Sequence, residues 1–109
     1  MSMSEKRRVL IDNDPLILKL WQYHAVKAKV ELDVFSAVAD FLSVQNKFEN
    51  TNTLIYLDRH LGDDLKGEKE AKKLYENGFR EIYLVTADRS GLDHLGEYIT
   101  GVISKRPPF

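Results

Sequence analysis

Four apolar runs in this chain each end on a residue able to do chemistry. Thr53-Leu54-Ile55-Tyr56-Leu57 ends on Asp58, and Arg8-Val9-Leu10-Ile11 ends on Asp12, followed by Asn13 and Asp14. Glu81-Ile82-Tyr83-Leu84-Val85 ends on Thr86, and Gly101-Val102-Ile103-Ser104 ends on Lys105. Short apolar runs of this kind read as parallel strands buried on both faces, and in open α/β sheets ligand chemistry collects just beyond the carboxyl ends of the strands. Such a sheet would gather two acids, a hydroxyl and a cation on one edge. A carboxylate in that position can act as a nucleophile toward a phosphoryl group and form an acyl phosphate. Phosphoryl transfer asks for positioning and for positive charge against the transferred oxygens, so a divalent cation and a lysine are the natural helpers.

The elements that must hold these residues can be followed along the chain. Asp14-Pro15 starts a helix, because Asp accepts orphan amide hydrogen bonds and proline tolerates the first helical position. This helix runs to about Lys27, with Leu16, Leu20 and Tyr23 on one face and Ile17, Trp21 and Ala25 widening the stripe. Trp21 reads as core filler. Val30 to Phe35 alternates apolar and acidic residues, which predicts a half-exposed edge strand. Ser36 is placed to cap a second helix carrying Val38, Phe41, Leu42 and Phe48, ending in the turn-rich Asn50-Thr51-Asn52. After Asp58, a polar loop from Arg59 to Gly67 leads to a helix from Glu68 to Glu76, stopped by Asn77-Gly78. A second polar loop, Ala87 to Gly91, and a short helix around Leu92 to Tyr98 precede the last strand. Strands alternating with helices argue for a right-handed, doubly wound parallel sheet.

A chain of 109 residues is one domain, 1–109, with a core from 8 to 105. Hydrophobic residues at 43% with 30% charged are ordinary globular usage, and a net charge of -1 gives no broad basic field for nucleic acid. Lys6-Arg7-Arg8 reads as a solvated lead-in to the first strand. The absence of cysteine excludes a disulfide scaffold and a thiolate metal site. No segment approaches the length of a membrane span or a signal peptide, so no membrane partner and a cytoplasmic location are expected.

Asp12-Asn13, Asp58, Thr86-Ala87 and Lys105, in this order, resemble the signature of response regulator receiver domains, the phosphoacceptor modules of two-component signalling. The likeness extends from Arg8 to Phe109. It implies a flavodoxin-like five-stranded sheet of order 2-1-3-4-5. It also implies a phosphoryl group accepted on Asp58 from a histidine kinase or phosphotransfer domain. Asp12, Asn13, Asp58 and the His60 carbonyl match the Mg²⁺ site, Thr86 would hydrogen-bond a phosphoryl oxygen, and Lys105 would pair with Asp58 or its phosphoryl group. The chain would be an acceptor rather than an enzyme that turns over, either alone or as the C-terminal receiver of a hybrid sensor histidine kinase.

Several positions depart from that pattern. Asn13 replaces an acid that normally ligates the metal, which predicts weaker Mg²⁺ binding unless Asp14 turns inward to compensate. Val102 stands where an aromatic switch residue is frequent, Arg106 stands where proline often follows the lysine, and Gly62 replaces a common proline. The final helix is missing after Lys105, so apolar surface on the third to fifth strands is expected to lie bare unless Pro107, Pro108 and Phe109 or another protein covers it. Pairing with a second copy or with a neighbouring domain through that face follows as an expectation.

Other chemistries fit less well. An aspartyl-phosphate hydrolase of the haloacid dehalogenase type needs an acid where His60 stands. A flavin binder needs phosphate-cradling donors where Asp12-Asn13-Asp14 would repel. His24, His60 and His94 lack a zinc spacing. The serious rival is a pseudo-receiver that keeps the shape and binds partners without taking phosphate.

Overall fold

The computed structural model describes residues 6–61, 66–88 and 96–109. Its elements are β1 (Arg7–Ile11), α1 (Pro15–Ala28), β2 (Leu32–Phe35), α2 (Val38–Leu42), β3 (Thr53–Asp58), α3 (Gly67–Glu76), β4 (Glu81–Val85) and β5 (Gly101–Ile103), with two 3₁₀ turns between α2 and β3. All strand pairs are parallel and the order is β2-β1-β3-β4-β5, as expected for the flavodoxin-like sheet. Residues 104–109 form no helix.

Strand alternation sends one set of side chains to each face. Val9, Ile11, Ile55, Leu57, Ile82 and Leu84 point toward α2 and α3, where they meet Phe41, Phe48, Ala71, Leu74 and Phe79. Leu10, Tyr56 and Val85 point the other way, toward Trp21. Both faces are covered, which explains why the strands read as unbroken apolar runs.

Trp21 is fully buried, as expected for core filler, but α1 is rotated relative to the predicted stripe. Trp21 and Ala25 are inside with Ile17 and Leu18 beside them, whereas Leu16 (73%), Leu20 (42%) and Tyr23 (59%) are exposed. At 3.6 residues per turn the two stripes lie about 100° apart, and periodicity alone does not choose between them. The bulk of the indole against Tyr56, with ring centroids 5.1 Å apart, makes the choice.

The second helix is shorter than the pattern suggests. Ala37 occupies its N-cap without a side-chain bond, while the Ser36 hydroxyl donates to Asp40 Oδ2 at 3.3 Å. Ser43 Oγ donates to the Asp40 carbonyl at 2.7 Å, a local bond that competes with helix continuation. Phe48 therefore reaches the core from an extended residue rather than from a helical face. The edge strand is also shorter, because Lys29 ends α1 in the left-handed region with φ 58° and Val30 N–H bonds back to Ala25 O at 2.9 Å. Gly78, at φ 102°, ends α3 where Asn77-Gly78 was expected to stop it.

The basic lead-in is solvent-exposed, as expected, and is also tied into the fold by ion pairs. Arg7 pairs with Asp33 at 2.7 Å and stacks over Phe48 at 4.3 Å, and Lys6 pairs with Glu81. Glu97 and Tyr98 lie in a turn, so the expected short helix does not extend that far, and its first part lies outside the described residues with Gly62 and His94. The apolar side of β3 to β5 is not bare. Phe109 stands edge-on to Trp21 at 5.8 Å and joins Leu54, Tyr83 and Ile103 around the smaller core. Among the described residues the large exposed apolar side chains, Leu16, Leu20, Tyr23 and Val26, lie instead on α1.

Candidate functional site

The carboxyl ends of the three central strands and β5 converge as the parallel register requires. Asp12 follows β1 directly and is fully buried, held by its N–H to the Phe35 carbonyl at 3.0 Å. Asp58, 3% exposed, is the last residue of β3, opposite Val85 of β4. Lys105 reaches back between them, its Nζ donating to Asp12 Oδ2 at 2.9 Å and to Asp58 Oδ1 at 2.7 Å. Thus one ammonium bridges two buried carboxylates separated by 93 and 47 residues from it in sequence.

Backbone bonds fix each member. Trp21 Nε1 donates to the Lys105 carbonyl at 3.0 Å, so the indole at the core also anchors the lysine's main chain. Thr86 N–H donates to Ile103 O at 3.0 Å, and Arg59 N–H donates to Val85 O at 3.2 Å. His60 N–H approaches Asp58 Oδ1 at 3.3 Å. Gly67 N–H donates to Arg59 O at 2.7 Å. A Cβ at Gly67 would come 2.6 Å from the Asp58 carbonyl oxygen, so only glycine lets α3 start this close to the site.

Two carboxylates share one lysine, and the electrostatics reflect it. Burial pushes the Asp12 carboxyl above its usual value, and the Asp58 charge adds to the rise. The Asp14 N–H and Lys105 act against it without cancelling it. For Lys105, burial alone would depress the ammonium, but the hydrogen bonds to Asp58 and Asp12 outweigh it and the net direction is upward. Two buried carboxyl groups thus face a single ammonium.

Asn13 completes the arrangement. One end of its amide lies 3.2 Å from both the His60 carbonyl and Asp58 Oδ2, and assigning the nitrogen to that end makes it a donor to both. The orientation follows from its neighbours, because the amide oxygen in that place would face two other acceptors with no proton between them. Asp14 does not turn inward. Its carboxylate accepts from Leu16 N–H at 2.9 Å and caps α1, while its own N–H donates to Asp12 Oδ1 at 2.9 Å.

The donor set suits a hard divalent cation. Asp58 Oδ2 and the His60 carbonyl already converge on one point, Asp12 lies across the bridging lysine, and all are oxygen donors of the kind Mg²⁺ takes. Among the described residues no three His, Cys, Asp or Glu side chains cluster as a metal centre, so such an ion would rest on two carboxylates, a main-chain carbonyl and water.

Thr86 is buried beside the site, but its hydroxyl is engaged elsewhere. It donates to the Asp88 carbonyl at 3.0 Å and accepts from Asp88 N–H at 3.0 Å. Arg59 Nη1 donates to the same carbonyl at 2.7 Å and its Nε faces Glu68 at 3.4 Å, linking the loop after β3 to the loop after β4. The structure brings Asp12, Asn13, Asp58, His60 and Lys105 into one niche, as the sequence order implied. Sequence reasoning missed the contributions of Trp21, Arg59 and Gly67. An arginine directly after the acid was the one available signal for Arg59, while nothing local tells that Trp21 bonds to a residue 84 positions away. The peptide bond between Lys105 and Arg106 is trans.

No family model and no curated protein matches the chain. Solved structures do, and they share the receiver-domain fold. A signal receiver domain of an HD domain-containing protein from Pseudomonas fluorescens Pf-5 aligns with a TM-score of 0.76 at 19% identity, covering 96% of this chain and 79% of that one. A CheY-like response regulator receiver domain protein from Methanospirillum hungatei JF-1 aligns at 0.70 and 18%, covering 97% and 85%. A co-crystal structure of the Saccharomyces cerevisiae histidine phosphotransfer signaling protein Ypd1 and the receiver domain of its downstream response regulator Ssk1 aligns at 0.73 and 14%, covering 96% and 81%. The chain is similar to these in fold. No helix among the described residues is long and apolar enough to cross a membrane.

Proposed function

We propose that the protein is a receiver domain that accepts a phosphoryl group on Asp58 from a phosphohistidine of a histidine kinase or phosphotransfer domain. The observation that carries this reading is the Lys105 bridge between Asp12 and Asp58 at the carboxyl edge of the sheet. A part-exposed lysine that could point to solvent has little reason to join two buried acids there unless anionic chemistry takes place beside it. In the transfer, an Asp58 carboxylate oxygen forms a bond to phosphorus as the phosphorus–nitrogen bond of the donor breaks, and the electron pair leaves with the imidazole nitrogen. Lys105 stays beside the acyl phosphate and offsets its charge. Thr86 exchanges its bond to the Asp88 carbonyl for one to a phosphoryl oxygen. Asp12, Asp58 and the His60 carbonyl would hold Mg²⁺, which would supply further positive charge to the transferred oxygens.

The role is that of an acceptor in a cytoplasmic phosphorelay rather than of an enzyme with turnover, and a longer kinase chain is a compatible setting. The receiver partnered with a phosphotransfer protein in the yeast co-crystal supports this kind of partner. Nucleic acid and membrane are not partners in this reading. The exposed Leu16, Leu20, Tyr23 and Val26 support pairing with a second copy or a neighbouring domain along α1. Sedimentation at high concentration tests it, and a strictly monomeric species counts against self-association.

A pseudo-receiver that binds partners without phosphate is the second reading, favoured by Asn13 and by the full hydrogen bonding of both Asp58 oxygens. Incubation with a small phosphodonor and Mg²⁺, followed by intact mass, separates the two. A gain of one phosphoryl group that disappears in Asp58→Asn supports transfer. No gain with any donor supports the binding module.

A further inference from the structure

We infer that Asn13 is a hydrogen-bonding stand-in for the cation: its amide nitrogen occupies the metal position in the metal-free domain and must leave before Mg²⁺ can bind. The inference rests on the phosphoacceptor reading and concerns how that site is kept closed. An acid at this position would add negative charge to a niche that already holds two carboxylates and one ammonium. The amide does the opposite. Its two N–H groups point at Asp58 Oδ2 and the His60 carbonyl, the two oxygens that a cation would draw together, at 3.2 Å each. With Lys105 on Oδ1 at 2.7 Å and Asn13 on Oδ2, both oxygens of the acceptor carboxylate are hydrogen-bonded, and the place beside Oδ2 and the His60 carbonyl that a cation would take is filled by the amide.

Replacement by a cation is accessible. Asn13 is solvent-exposed at the rim of the niche while Asp12 and Asp58 are buried beneath it, so the amide closes the site as a cover. Rotation of this exposed side chain carries the amide out of the niche without moving the backbone, and water takes its place beside the ion. The metal-free state is then self-satisfied, and acceptor reactivity depends on divalent cation more steeply than in a site whose acids repel one another while empty.

Three measurements on the ¹⁵N-labelled domain test this. On titration with MgCl₂, the Asn13 side-chain amide resonance is expected to shift with the same midpoint as the fluorescence of Trp21, which is bonded to the Lys105 carbonyl. Without metal, Asn13→Ala and Asn13→Asp are expected to melt below the parent, the acid lowest, and Mg²⁺ is expected to raise Asn13→Asp above the parent. Asn13→Ala is expected to bind Mg²⁺ at least as tightly as the parent, because water replaces a group that first had to be displaced. An Asn13→Ala domain that binds about tenfold more weakly, as loss of an ordinary ligand or its support would cause, and melts like the parent without metal overturns the inference. The acceptor reading fails separately, and the inference with it, when Asn13→Asp shows no Mg²⁺ binding by either probe.

Discussion

The two faces of the sheet are built from the same strands but closed in different ways. On one face α2 and α3 cover β1, β3 and β4 with a broad cluster in which Phe41 lies 5.1 Å from both Phe48 and Phe79. On the other, α1 supplies Trp21 alone as a large fully buried side chain, and Phe109 fills in beside it. The first face is sealed by hydrocarbon and touches the site only where α3 begins, at Gly67 and Glu68, away from the Phe41 cluster. The second is joined to the site, because the residue that fills the core also holds the Lys105 main chain. Stability and chemistry are therefore separable on one side and coupled on the other.

The largest test of that contrast is Phe41→Ala, expected to cost about 3–5 kcal/mol in denaturant unfolding by leaving a cavity among closely packed rings. Magnesium affinity measured on the remaining folded protein should be unchanged. A strong loss of affinity would show that the broad face is coupled to the site after all. Trp21→Phe keeps an aromatic ring but removes the N–H bond to Lys105 O, and a cost of roughly 1–2 kcal/mol is expected. Here the phosphorylation rate should fall as well, and a variant with parental kinetics would break the proposed coupling.

Phe109→Ala comes next, at about 1 kcal/mol, since the ring is only half-buried. A cost below the error of a denaturant melt would mean that the ring adds nothing to the closure of the α1 side. The charged edge of this side should also make it pH-dependent. Lys105 titrates above its usual 10.5 in the fold. Its contribution is accordingly complete below pH 10.5 and lost as pH rises through the folded-state value. Asp12 acts at the acid end: its folded value lies above 3.8, so protonation favours the fold and the contribution declines as pH rises through that interval. Comparing Lys105→Met with the parent across alkaline pH should show the parent's extra slope, and parallel curves would remove Lys105 from the account. Smallest of all, Leu20→Gln on the exposed side of α1 should alter stability by no more than about 0.5 kcal/mol. A larger loss that depends on protein concentration would mean that this face is buried against another copy.

Much of the fold was legible because parallel strands buried on both faces leave continuous apolar runs, and β4 lies where the run Glu81 to Val85 placed it. The edge position of β2 was legible from its alternation. The second helix was misjudged because Ser36 and Ser43 form local side-chain bonds whose outcome depends on where Phe48 must land. For α1, the sequence carried two apolar stripes of similar strength, and which one faces inward depends on what the sheet presents to it.

The same division holds at the site. By itself the order of residue types established that Asp12, Asp58, Thr86 and Lys105 would end strands, since local patterning determines where an extended run stops. Only the tertiary structure decided that one ammonium bridges both acids, that Thr86 turns to Asp88, that Asp14 caps a helix, and that the Asn13 amide points its nitrogen inward. Hydrogen-bond direction depends on which donors and acceptors the packed chain brings within about 3 Å of one another, and neighbours tens of residues apart in sequence leave no local mark of that encounter.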